Sequence, residues 1–149
     1  MGRINLGRVL VGGLVAGVVL NIGEFILNGI LLGAEMNAAM AALNRPPVGA
    51  SMIVWFVLFT FGLGFMMVWL YAAIRPRFGP GVGTAMCSAS IAWGLAYLYP
   101  NLFFLVLGLF PVKLVVIPVI WGFFELLVAG VAGAWAYTEA GLPAGAAAA

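Results

Sequence analysis

VLVGGLVAGVVLNIGEFILNGILL, residues 9–32, is the stretch that decides the fold. Glu24 is its single ionisable side chain. A helix of that length, at about 1.5 Å per residue, reaches across a hydrocarbon core of about 30 Å. Arg3 and Arg8 stand ahead of the run, as the charges of a signal peptide would. The run is too long for a signal peptide, however, and has no clean small-x-small cleavage site. It therefore reads as a retained first helix.

The rest of the chain continues in the same manner. A second apolar run covers residues 52–74, and a fourth covers 117–137, with Pro118 suited to a first helical turn. The third begins near residue 82 and has two possible ends. It stops at Tyr99, ahead of Pro100 and Asn101, or runs kinked to Leu109. Between the second and third, RPRFGPG (75–81) reads as a non-helical turn because of its two prolines and two glycines. Residues 34–44 form a short helix, stopped by Pro46 and Pro47. Met36, Met40 and Leu43 would give it an apolar face suited to lying on a membrane surface. An ordinary Ala-rich loop helix fits the same residues. The expectation is one domain over residues 1–149: an all-α bundle of four transmembrane helices with a surface helix between the first two and a loose Ala/Gly tail from 142 to 149.

Composition sets the same limits. Of 149 residues, 66% are hydrophobic and 7% charged, against about 25% charged in a soluble domain. So few charges cannot cover a water-soluble globule, and no separate soluble domain fits in the length. The net charge of +2 forms no basic cluster of the kind nucleic acid requires. There is no His, and Cys87 is the single Cys. His-based metal and haem ligation, CxxC redox chemistry, intramolecular disulfides, and Ser-His-Asp or Cys-His catalysis are thereby excluded. No cofactor or metal is expected, and no enzyme activity has a nucleophile and base to support it.

Loop charges give a topology. With Arg3, Arg8, Arg75 and Arg77 on the cytoplasmic side and Arg45 and Lys113 opposite, both termini lie inside. Trp69, Tyr71, Trp135 and Tyr137 would form an inner aromatic belt, with Trp55, Tyr97 and Tyr99 near the outer one. Arg75 and Arg77 serve as topology determinants, or as a pair holding a lipid phosphate. Cys87, Ser88 and Ser90 read as small packing residues, and Phe56, Phe59, Phe61, Phe65, Met66 and Met67 as lipid-facing.

The candidate site is the pair Glu24 and Glu125. An ionisable group inside a membrane is costly unless neutral, paired or wet, and no Lys or Arg falls inside a span to pair with either. At least one is expected to carry a proton, shared between the two if their helices touch. Gly13, Gly17, Asn21, Glu24 and Asn28 follow at steps of three or four down helix one, small below and polar above. In the fourth helix Trp121, Glu125, Ala129 and Gly133 share a face. The two stripes are expected to pack together. Three uses fit this polar layer: inter-helix hydrogen bonding alone, a proton or cation relay, or a polar anchor for a small molecule.

NIGEFILNG (21–29), ALNRPP (42–47) and LYAAIRPRFGPG (70–81) resemble segments of small four-helix bacterial membrane proteins, a family that carries no assigned activity. The resemblance implies a multi-pass protein of the bacterial inner membrane. A glutamate in helix one is also similar to the small multidrug resistance exporters, but this chain is longer, adds a second glutamate in helix four and lacks their other helix patterns. The expected role is structural or accessory, with lipid, further copies or other membrane subunits as partners. The alternative is a proton- or cation-coupled transporter of a small molecule using Glu24 and Glu125, with Asn21 and Asn28 lining its path.

Overall fold

The computed structural model describes residues 4–137; the expected tail at 142–149 and Arg3 lie outside the described residues. Six α-helices follow in order: α1 (Leu6–Glu24), α2 (Gly33–Ala42), α3 (Ala50–Phe78), α4 (Val82–Trp93), α5 (Tyr99–Leu107) and α6 (Val112–Ala136). Two π-helical segments join them: Phe25–Leu31 prolongs α1, and Gly94–Leu98 fuses α4 to α5. Four rods result, Leu6–Leu31, Ala50–Phe78, Val82–Leu107 and Val112–Ala136, each long and apolar enough to cross a membrane.

Each boundary has a local cause. The Asn5 side chain accepts the Arg8 N–H at 3.1 Å, satisfying an orphan donor at the start of α1. α3 does not stop at Arg75, as the turn reading required. It carries Pro76 inside its last turn and ends at Phe78, where Gly79 N–H donates to Arg75 O at 2.8 Å. A proline this close to the C-terminus removes one bond and leaves the rest of the helix intact. The turn proper is Gly79 (φ 83°) to Gly81 (φ 128°), backbone that favours glycine. Thr84 Oγ1 closes it by donating to Gly79 O at 2.7 Å.

The third rod runs unbroken to Leu107, so Leu102–Leu107 is helix and no separate apolar segment. Pro100 is accommodated by the π-helical turn directly before it, which absorbs the missing N–H and the clash of the ring with the preceding turn. The fourth rod begins at Val112, capped by Pro111, so Pro118 lies inside it and not in its first turn.

α1 packs on α3 and α6, and α4 packs on α6 and α3. Backbones come close at glycines. A Cβ on Gly64 would lie 2.8 Å from Gly13 O and 2.8 Å from Gly17 N, and one on Gly12 would lie 2.6 Å from Gly133 O. One on Gly130 would meet the Ala89 Cβ at 2.9 Å. Around these crossings sits the main core, with Ala16, Leu20, Met67, Ala89, Leu126 and Ala129 all fully buried. A smaller cluster of Leu27, Leu32, Ala39 and Leu114 lies toward α2. Between the two clusters lies the polar layer.

The glycine contacts correct the expected pairing of stripes. Gly13 and Gly17 face α3, against the Phe65 and Phe61 rings, and it is Gly12 and Ala16 that meet Gly133 on α6. Helix one has a second glycine face about 100° from the first, because Gly12 and Gly13 are consecutive.

Candidate functional site

Glu24 closes α1, and the π-helical turn that follows carries Asn28 back over it. Asn28 Nδ2 donates to Glu24 Oε2, and the Tyr97 hydroxyl donates to Glu24 Oε1. Tyr97 itself sits in the second π-helical segment. Each irregular segment thus contributes a partner to the same carboxyl. A single wide turn commonly marks a functional site, because it re-aims one side chain without ending the helix.

Glu125 enters from α6 and is 9% exposed. Its carboxyl rests on Gly23, where a Cβ would come within 2.7 Å of Cδ and 3.1 Å of Cγ. That contact places it against the backbone immediately before Glu24. Neither carboxyl oxygen of Glu125 makes a hydrogen bond, and the buried Trp121 Nε1, one turn earlier, makes none either. The Trp121 indole N–H and the Glu24 backbone N–H are close enough to act on the Glu125 carboxyl, although neither forms a hydrogen bond of full geometry with it.

A second glycine shapes the layer from the opposite side. A Cβ on Gly122 would lie 2.6 Å from Tyr97 Cε1 and 3.0 Å from its Cγ, so the phenol ring lies against the bare backbone of α6. Trp93 fixes the same junction: its indole N–H donates to Val119 O at 2.8 Å and its ring meets Phe123 edge-on at 5.0 Å. Gly23 seats the Glu125 carboxyl and Gly122 seats the Tyr97 ring.

The structure thus brings together Glu24, Asn28, Trp121 and Glu125 from the predicted set, with Asn28 at an exposed edge. Asn21 is not part of the group; its side chain donates to Gly17 O at 2.8 Å within its own helix. Tyr97 belongs to the layer and not to an aromatic belt. Tyr71 and Tyr137 are also no surface belt: both are 4% exposed and meet edge-on at 5.9 Å, with the Arg75 guanidinium 5.7 Å over the Tyr137 ring. Arg75 therefore packs on an aromatic ring, while Arg77 is exposed. Trp69 and Trp135 are exposed as a belt requires. Met67 is buried in the core, whereas Phe56, Phe59 and Met66 face outward. Ser88 is fully buried and donates to Ala85 O at 2.8 Å; Cys87 is a half-buried free thiol.

Tyr97, Gly23 and Gly122 escaped the sequence reading. Tyr97 stands two residues from Tyr99 and reads like an interfacial aromatic, and only the π-helical turn ahead of Pro100 aims it inward. A signal did exist for Gly23: a glycine directly preceding a glutamate in a long apolar run leaves the backbone bare on the face where a second carboxyl would rest.

Chemically, the layer offers two adjacent carboxyls, a phenol and a carboxamide, with donors concentrated on Glu24. Among the described residues no Lys or Arg pairs with either carboxyl, and no three His, Cys, Asp or Glu side chains converge as a metal site would need. Comparison with protein-family models, curated proteins and solved structures finds no match for this chain.

Proposed function

We propose that this chain is a four-span integral membrane protein whose working part is the Glu24–Tyr97–Glu125 layer, and that it couples movement of a proton or cation to passage of a small molecule. The observation that carries this reading is Glu125. Its carboxyl is nine-tenths buried and pressed on Gly23 next to Glu24, with no hydrogen bond of full geometry and, among the described residues, no cation beside it. A layer that served only to join helices would leave its polar groups mutually satisfied. An acid held next to another acid in an apolar interior is instead a place where a positive charge is taken up and released. In this reading the Arg8, Arg75 and Arg77 end faces the cytoplasm of a bacterial cell and α2 lies on the outer surface of the inner membrane.

The test is proton flux in liposomes. Wild type, Glu24→Gln and Glu125→Gln are reconstituted, an inward gradient of sodium, potassium or a small organic cation is imposed, and internal pH is followed. Flux in the wild type that falls by an order of magnitude or more in both variants supports the proposal. Equal flux in all three, or none with any gradient, refutes it.

A second reading has its own observation. Ile53–Phe59 of α3 is exposed at every position, an apolar surface left open among the described residues. An accessory subunit of a larger membrane complex would use such a face. Native mass spectrometry after gentle extraction would then find a second protein at fixed stoichiometry.

A further inference from the structure

The polar layer is bounded very differently on its two sides. Toward the Arg75 end it meets the main core, where Leu20 and Leu126 are fully buried and three glycine-mediated crossings bring backbones together. Nothing there can open without separating whole helices. Toward α2 it is covered by four buried side chains, Leu27, Leu32, Ala39 and Leu114, with Trp121, Ile117 and Phe110 packed beside them.

α2 contributes little buried surface of its own. Ala39 is its one buried residue. An apolar recess of about 340 Å³, lined by Ala38, Ala39, Ala42, Leu43, Leu109 and Pro111 with Glu35 at its rim, separates much of the helix from the chain below it. Two polar contacts at the surface tie it down. Lys113 pairs with Glu35, and Asn37 Oδ1 accepts the Val48 N–H at 3.1 Å. Both ends of the helix depart from regular α geometry. It is preceded by the π-helical segment ending at Leu31 and followed by Asn44 with φ 53° and, five residues on, Gly49. A segment with few buried contacts and its anchors at the surface opens at low free energy.

We infer that α2 is a lid over the Glu24–Glu125 layer, latched shut by the Glu35–Lys113 ion pair. Opening swings α2 about the π-helical segment and Asn44, lifts Ala39 off the Leu27, Leu32 and Leu114 cluster, and admits water to the carboxyls from the α2 side. The lid deepens the reading of the layer as an ion-exchanging site, since it supplies the route by which a proton or cation arrives.

Chemical access to the carboxyls tests it independently of transport. The full chain in lipid nanodiscs is treated with a water-soluble carbodiimide and an amine at a dose giving about one label per molecule, and labelling at Glu24 and Glu125 is followed residue by residue by mass spectrometry in molecules whose latch carboxyl is neither labelled nor cross-linked. The side chains of the latch are 56% and 42% exposed, so its loss should raise opening modestly. Glu35→Gln is expected to speed labelling of both carboxyls about 1.5- to 5-fold. The exchange Glu35→Lys with Lys113→Glu restores the pair and should return the rate to that of the wild type. Raising salt to about 1 M should bring the wild type up to the Glu35→Gln rate, since an exposed pair is screened. This arm needs no variant to fold. Labelling that ignores salt, or a Glu35→Gln rate equal to wild type, overturns the lid. Latch-dependent labelling in a protein whose liposomes move no protons would instead sustain the lid and defeat the transport reading.

Discussion

Replacing Gly64 by alanine asks whether the crossing of α1 and α3 is as tight as it is drawn. Inside a helix alanine is normally better than glycine by about 0.8–1 kcal/mol. Gly62, two residues away on the same helix, has nothing within 4 Å of the position a Cβ would take. Gly62→Ala should therefore hold or raise stability. At Gly64 the same methyl would lie 2.8 Å from both Gly13 O and Gly17 N, where 3.4 Å is the near limit of ordinary contact. Both obstacles are backbone, so no rotamer relieves them and α1 must move away from α3. Widening a packed interface by 0.5–1 Å forfeits roughly a quarter to a half of each contact's attraction, and overpacking costs about 1–3 kcal/mol. The two alanines should then differ by about 2–4 kcal/mol. Heating each variant in mild detergent and following the monodisperse size-exclusion peak reads this as a midpoint gap of roughly 5–15 °C. Coincident midpoints would refute the Gly64 crossing, and with it the dry floor beneath the carboxyls.

Other changes address the layer itself. Gly23→Ala should leave the bundle folded, because its methyl meets the movable end of Glu125, yet reduce gradient-driven proton flux as far as Glu125→Gln does; unaltered flux would count against Gly23 as the carboxyl's seat. Tyr97→Phe removes the hydroxyl donor to Glu24 and should lower stability by about 1.5–3 kcal/mol, read in the same heating assay, with Trp93→Phe costing less at about 0.5–1.5. For Glu125, Gln keeps the shape and should unfold near the wild-type temperature, or above it. Ala leaves a cavity in the layer and should unfold several degrees lower, and the reverse order would show that the carboxyl is structurally required.

The number of long apolar helices could be read from sequence because it depends on the length of uncharged runs, and the stretch around Glu24 carries that information by itself. Helix ends were harder wherever proline intervened. Pro76 and Pro100 suggest a stop and Pro118 a start, yet each is absorbed: the first in a terminal turn, the second behind a π-helical segment, the third inside α6. What a proline does depends on whether neighbouring helices hold the rod together, and that is absent from the local sequence. The carboxyl pair was visible because charge in an apolar run is rare. Tyr97 was not, since no spacing rule links residues 24, 97 and 125. The mistaken pairing of Gly13 and Gly17 with α6 had a similar origin: spacing identifies a smooth face but does not name the helix that meets it.

The two π-helical segments also change how this chain tolerates loss. Each holds one residue more than an α-helix would need over the same rise. Removing a single codon from a helix ordinarily turns everything beyond it by about 100° and ruins its packing. Within Phe25–Leu31 the same deletion would let the backbone relax into a regular α-helix, whereas within Gly94–Leu98 it would press the Pro100 ring onto the preceding turn. A lineage could thus shed the Asn28 contact in one genetic step and keep a sound bundle, which makes the length of Phe25–Leu31 a marker by which versions of the fold with and without that contact can be told apart.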